Sequence, residues 1–164
     1  MGSRVQCKEY PLWSVVIRPA ELDDAPIVAR DLDAGDVAEL AALGRSPLDS
    51  IYEGISVSDH CWTICLHTRP VAVFGLIENR IWLLATPALR KLRKGLLREA
   101  RWWVDILHES CRFLHNHIDA RQTTHIAWLR ALGFTVEPDS TPLGVNNEPF
   151  LYFWRYSPCV TPSP

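Results

Sequence analysis

The chain has 164 residues, a formal charge of −2, 48% apolar residues and 22% charged residues. That length fits one domain, which buries about 70% of its unfolded surface and needs neither disulfides nor metal to fold. The near-neutral charge argues against nucleic acid as the main partner, and no run approaches the roughly 18 apolar residues of a membrane span.

The first residues, MGSRVQCKEY, lack an apolar secretory core, so a cytosolic protein is expected. Cys7, Cys61, Cys65, Cys111 and Cys159 are odd in number and form no CxxC pair, which implies reduced thiols. Residues 13–18 (WSVVIR) read as a strand. Glu21, Asp23 and Asp24 then suit the start of a helix, because carboxylates cap free N–H groups and complement the helix dipole. Two short helices, 24–32 and 35–43, break near Asp33-Ala34-Gly35. Ser46-Pro47 opens a third, 47–57, with serine as the cap and proline at the first helical position.

Strands 61–66 and 71–77 flank a turn at His67-Thr68-Arg69-Pro70, and 81–85 follows Glu78-Asn79-Arg80. Three such strands in series make an antiparallel meander. After Pro87, the apolar residues Leu89, Leu92, Leu96, Ala100, Trp103 and Leu107 recur at helical steps, with Arg90, Lys94, Arg98 and Arg101 opposite. Trp102 falls off the stripe and is expected to be partly exposed, at an interface or beneath a loop. Residues 112–118 read as a strand and 123–132 as a helix closed by Gly133, with Phe134 folding back as the residue beyond the cap. A strand starts at 134–136, Pro138, Pro142 and Pro149 read as one loop, and 150–156 (FLYFWRY) is strongly β. Residues 157–164 read as a poorly ordered proline-rich tail after a single domain, 1–156.

The order β-α-α-α-β-β-β-α-β-α-β-β implies a mixed α/β (α+β) class, with a central, mostly antiparallel sheet and helices on both faces. Strands 81–85 and 112–118, joined through the long helix, should lie parallel.

This order, together with HIAWLRALGF, resembles the GNAT superfamily of acyl-CoA N-acyltransferases. Their last shared helix reads N-x-x-A-x-x-L-Y-x-K-x-G-F. Gly133-Phe134 matches its end, Gln122 takes the Asn position, and Leu129 takes that of the Tyr which protonates the leaving thiolate. Segments Trp62–Gly75, Trp82–Pro87, Leu96–Trp103 and Ile118–Phe134 are similar to small GNAT-like proteins of short-tailed phages, described as acetyltransferases or as internal virion and assembly proteins.

The resemblance implies that strands 81–85 and 112–118 part to admit the pantetheine arm of acetyl-CoA. Leu83, Leu84 and Ala85 would then pair with it through their backbone, with Thr86 and Gln122 at the mouth. The family's Q/R-x-x-G-x-G/A loop is missing. Arg90, Lys91, Arg93 and Lys94 put four cations there instead, either to hold phosphates or as a solvated helix face. Strand 81–85 carries no carboxylate to act as base, so Glu78, His117 and Asp119 are the candidates; the alternative is that Asp119 and Arg121 form a structural pair. Cys111, His115, His117 and His125 fit no metal-ligand spacing, and no metal is expected. Two functions stay open: an acetyl-CoA-dependent N-acetyltransferase acting on an unspecified amine, or a non-catalytic protein that contacts a phage structural or host protein. Either would act in the host cytoplasm or within the virion, with no nucleic acid and no membrane as partner.

Overall fold

In the computed structural model residues 8–10 and 15–158 are described, apart from the side chains of residues 8–10, Lys91, Arg93, Lys94 and Leu96. Eight strands form one sheet: β1 (Lys8–Tyr10), β2 (Val15–Pro19), β3 (His60–Leu66), β4 (Arg69–Ile77), β5 (Arg80–Ala85), β6 (Phe113–Asp119), β7 (Thr135–Leu143) and β8 (Glu148–Tyr156). Their spatial order is β1-β2-β3-β4-β5-β6-β8-β7. Every neighbouring pair is antiparallel except β5 and β6, which are parallel. The mixed class expected from the sequence is the one observed, with β1 as an added strand. Trp13 and Ser14 of the first expected strand, and residues 159–164 of the tail, lie outside the described residues.

Helices α1 (Asp24–Arg30), α2 (Ala34–Ala42) and α3 (Pro47–Val57) cover one face of the β4–β5 half of the sheet. Each start has a local cause. Asp33 caps α2 through Gly35 N–H at 3.0 Å, and Ser46 caps α3 through Asp49 N–H at 3.2 Å. The start of α1 is anchored by Asp24 itself, buried and accepting from Arg18 at 2.7 and 2.9 Å and from the Thr63 hydroxyl at 2.6 Å. Ala25, Val28, Leu32, Leu40 and Ile51 pack over Val73 to make the smaller core.

The opposite face carries α4 (Arg93–Ser110) and α5 (Thr123–Ala131). Trp103, Val104 and Leu107 of α4 pack on Trp62, Ile64 and Phe74 in the larger core. The long helix begins later than its periodicity predicts, because Pro87–Leu92 forms a 3-10 helix before α4 takes over. Leu89 and Leu92 are buried nonetheless, so the apolar stripe runs through the change of helix type. At the end of α5, Gly133 adopts a left-handed φ of 85° and Phe134 N–H bonds back to Leu129 at 3.1 Å, as the glycine cap predicts.

Two readings change. Pro138 and Pro142 lie in strand β7 rather than in a loop. That strand is the sheet edge and its ladder shifts between Val136 and Ser140, so a missing proline N–H costs little there. Strand 150–156 extends to Glu148, so Pro149 also lies in a strand rather than in a loop, and β6 and β7 flank it on either side. Among the described residues, no helix is long and apolar enough to cross a membrane.

Candidate active site

The site starts from a ladder that stops. Strands β5 and β6 register only at Arg80 opposite His115, although both continue for several residues. Beyond that point the two strands diverge, and a cavity of about 830 Å³ opens through the parting. Leu83, Asn116, His117, Trp128 and Leu129 are among its lining residues, so the large side chains of α5 border the opening.

Unpaired strands leave backbone groups that must find other partners. Most of these groups are satisfied from within the chain. The Ile81 carbonyl accepts from the Asn116 side-chain amide at 2.9 Å. Ala85 N–H donates to Asp36 Oδ2 at 3.1 Å, and its carbonyl accepts from Asp33 N–H at 2.9 Å. Across the parting, Asp119 N–H donates to Glu39 Oε2 at 2.9 Å. Helix α2 therefore straddles the open end, tied to one strand by Asp36 and to the other by Glu39. Leu83 is different. It lies between Ile81 and Ala85 in the two-residue alternation, so its N–H and C=O face the parting, where β6 provides no rung.

Burial raises both α2 carboxyls. Asp36 is pushed up chiefly by loss of water, and its Oδ1 lies 3.7 Å from His125 Nδ1. Glu39 is pushed up to about 7, first by burial and then by the neighbouring charges of Asp36 and Asp119. A carboxyl held there exchanges protons near neutral pH, which suits a general base. Asp33, Asp36 and Glu39 were missed in the sequence. Their signal is a run of acids at steps of three on one helix face, hidden because such a run also describes a solvated face.

The candidates named from sequence fall in different places. His117 lines the cavity, its pKa lowered by burial and by His115, which favours the uncharged ring, and that ring lies 5.1 Å from that of Tyr152. Asp119 is buried and held low by Arg121, whose guanidinium donates at 2.5 to 3.0 Å, so the structural pairing is the one observed. Glu78 sits in the β4–β5 turn at φ 56°, its N–H on Asp59 at 2.7 Å, beyond the closed end of the parting. Leu84 turns its backbone to β4 opposite Val73 and packs against the smaller core. Ala85 and Leu83 border the parting as described. Thr86 is buried, its N–H on Val71 at 2.8 Å. Arg90 forms an ion pair with Asp33, so it is not a free cation at the mouth. The side chains of Lys91, Arg93 and Lys94 lie outside the described residues. The Gln122 amide packs over Gly35, tying α5 to α2 at the mouth. Among the described residues, no group of three or more His, Cys, Asp or Glu is placed to hold a metal.

A mixed sheet parted between two parallel strands, with helices on both faces, is the fold of the GNAT-type acetyltransferases. The chain shares that fold with several solved structures. One, assigned to the acetyltransferases, has a TM-score of 0.71 at 15% identity, covering 96% of this chain and 89% of that one. Spermidine N-acetyltransferase from Vibrio cholerae, solved with CoA and spermine, has a TM-score of 0.62 at 11% identity, covering 88% and 96%. Ribosomal-protein-S5-alanine acetyltransferase from Vibrio fischeri has a TM-score of 0.63 at 10% identity, covering 95% and 99%. No family model and no curated protein sequence matches the chain.

Proposed function

We propose that the chain is an acyl-CoA-dependent N-acyltransferase, with acetyl-CoA as donor and an amine as acceptor. The observation that carries this is the parting of β5 and β6, which leaves the backbone of Leu83 facing a cavity that also reaches the Glu39 carboxyl. An extended amide-bearing arm needs such an unpaired strand edge, and Leu83 offers one donor and one acceptor.

In this reading Glu39 takes a proton from the acceptor ammonium. The free amine attacks the thioester carbonyl carbon; a C–N bond forms, the nitrogen releases its surplus proton to solvent, and the C–S bond breaks. The thiolate leaves and takes a proton from solvent, since Leu129 stands where the resembled enzymes place a tyrosine. A thiol of ordinary pKa near 8.5 needs little help to do so. The net change is amine plus thioester to amide plus thiol. The likeness of Trp62–Gly75 and Ile118–Phe134 to short-tailed-phage proteins supports a phage setting, with the host cytoplasm or the virion as the place of action.

One observation favours the contact-protein reading. Ala85 already has both backbone groups bonded to α2, and Arg90 is spent on Asp33, so part of the edge and one cation are taken. Calorimetry with CoA and acetyl-CoA separates the two. Micromolar binding, together with thiol release in the presence of amines that falls at least tenfold in Glu39→Gln, supports the transferase. No heat at millimolar ligand removes it and leaves the contact protein.

A further inference from the structure

A parallel ladder advances by two residues per rung on each strand. His115 N–H donates to the Asn79 carbonyl at 3.0 Å, so the next rung in that direction is His117 N–H to the Ile81 carbonyl. That rung is absent, and its two ends are both occupied by one side chain. Asn116 Nδ2 donates to the Ile81 carbonyl at 2.9 Å, while Asn116 Oδ1 accepts from His117 N–H at 2.8 Å.

We propose that Asn116 is the positioning residue that parts β5 from β6, its carboxamide inserted into the ladder in place of a rung. Asparagine is suited to this because its side chain carries one carbonyl acceptor and one NH₂ donor, the same complement as a peptide unit. Inserted side-on, it satisfies both rung ends while holding them a side chain apart. Both ends of that rung are paired, so re-forming it gains no hydrogen bond. The neighbouring residues on that face of β6, Leu114 and Ile118, are buried in the larger core, which fixes the strand on either side of the wedge. The separation it creates is where Leu83 is left without a partner. This role rests on the proposed acyl-donor cleft only for its use; the parting itself is a property of the free protein.

Asn116→Ala removes the wedge and leaves the Ile81 carbonyl and His117 N–H free to bond each other. In isotope-labelled protein, nuclear magnetic resonance is expected to show new cross-strand contacts between Ile81 and His117 and slowed exchange of the amides that join them. Coenzyme A, where the unmodified protein binds it, is expected to bind at least tenfold more weakly. If the strands stay parted in Asn116→Ala, with unchanged contacts and unchanged amide exchange, the wedge is refuted whatever the ligand result. If the unmodified protein does not bind coenzyme A but the ladder closes in the variant, the transferase reading fails and the wedge stands. Should Asn116→Ala not fold, the unmodified protein decides. Its Asn116 side-chain NH₂ is expected to exchange slowly and to show hydrogen-bond coupling to the Ile81 carbonyl, and fast exchange without coupling overturns the proposal.

Discussion

Glu39→Gln is expected to make the protein more stable at pH 8 and to flatten its loss of stability between pH 4.5 and 7. In the fold this carboxyl is pushed up from 4.5 to about 7, mainly because α2 buries it against the end of β6. Over that interval the folded form keeps a proton that the unfolded chain has lost, so stability falls as pH rises. The stabilising contribution is full below pH 4.5 and gone once the pH passes about 7. A displacement of about 2.5 pH units at 1.36 kcal/mol each corresponds to ~3 kcal/mol. Glutamine keeps an oxygen to accept from Asp119 N–H but has no proton to lose. The two proteins should therefore agree within ~1 kcal/mol at pH 4.5 and differ by up to ~3 kcal/mol at pH 8, with the variant the more stable. Asp36, also raised, leaves a residual slope in both. Urea unfolding at pH 4.5, 5.5, 6.5 and 8 measures this directly. Parallel curves for the two proteins across that range would show that Glu39 titrates as an ordinary solvated carboxylate, and would take with it the argument for Glu39 as a base.

Asp24→Ala leaves the buried Thr63 hydroxyl and the partly exposed Arg18 guanidinium without their shared acceptor, so a loss of ~2–4 kcal/mol is expected by denaturant unfolding, and a loss under 1 kcal/mol would contradict the anchor. Gly54→Ala places a Cβ 2.6 Å from the Trp82 ring, so the indole must shift; ~1–3 kcal/mol of destabilisation with altered tryptophan fluorescence is expected, and neither change would mean that the ring yields freely. Asp119, held low by Arg121, contributes stability above its ordinary carboxylate range and loses it as pH falls through its lowered value. Asp119→Asn should therefore lower stability at pH 7 and shrink the acid-induced loss, and an unchanged acid transition in the variant would refute the pairing.

Much of the fold is written locally. The stripe from Leu89 to Leu107 specifies a helix whatever surrounds it, Ser46-Pro47 marks a start, and Gly133-Phe134 marks a stop, because each acts over three or four residues of backbone. The meander β3–β4–β5 and the parallel return to β6 follow from strand spacing and the length of the crossover. The site was legible only as a region. Sequence points to residues 81–85 and 112–118, and both border the parting; it nominates Glu78 and Asp119, while Asp36 and Glu39, which bond the two strand ends, went unread. Whether an acid is a solvated charge or a buried carboxyl held near neutrality depends on what covers it, and for α2 that cover is the pair of strand ends it bridges. Asn116 makes the same point. Read alone it is a polar residue in a strand, and it becomes a wedge only when a second strand, thirty-five residues away, brings the Ile81 carbonyl to its amide. Local sequence determines which elements form, because their bonds close within a few residues. The parting between two of them is decided by tertiary structure, because the groups that keep it open come from α2, β5 and β6 together.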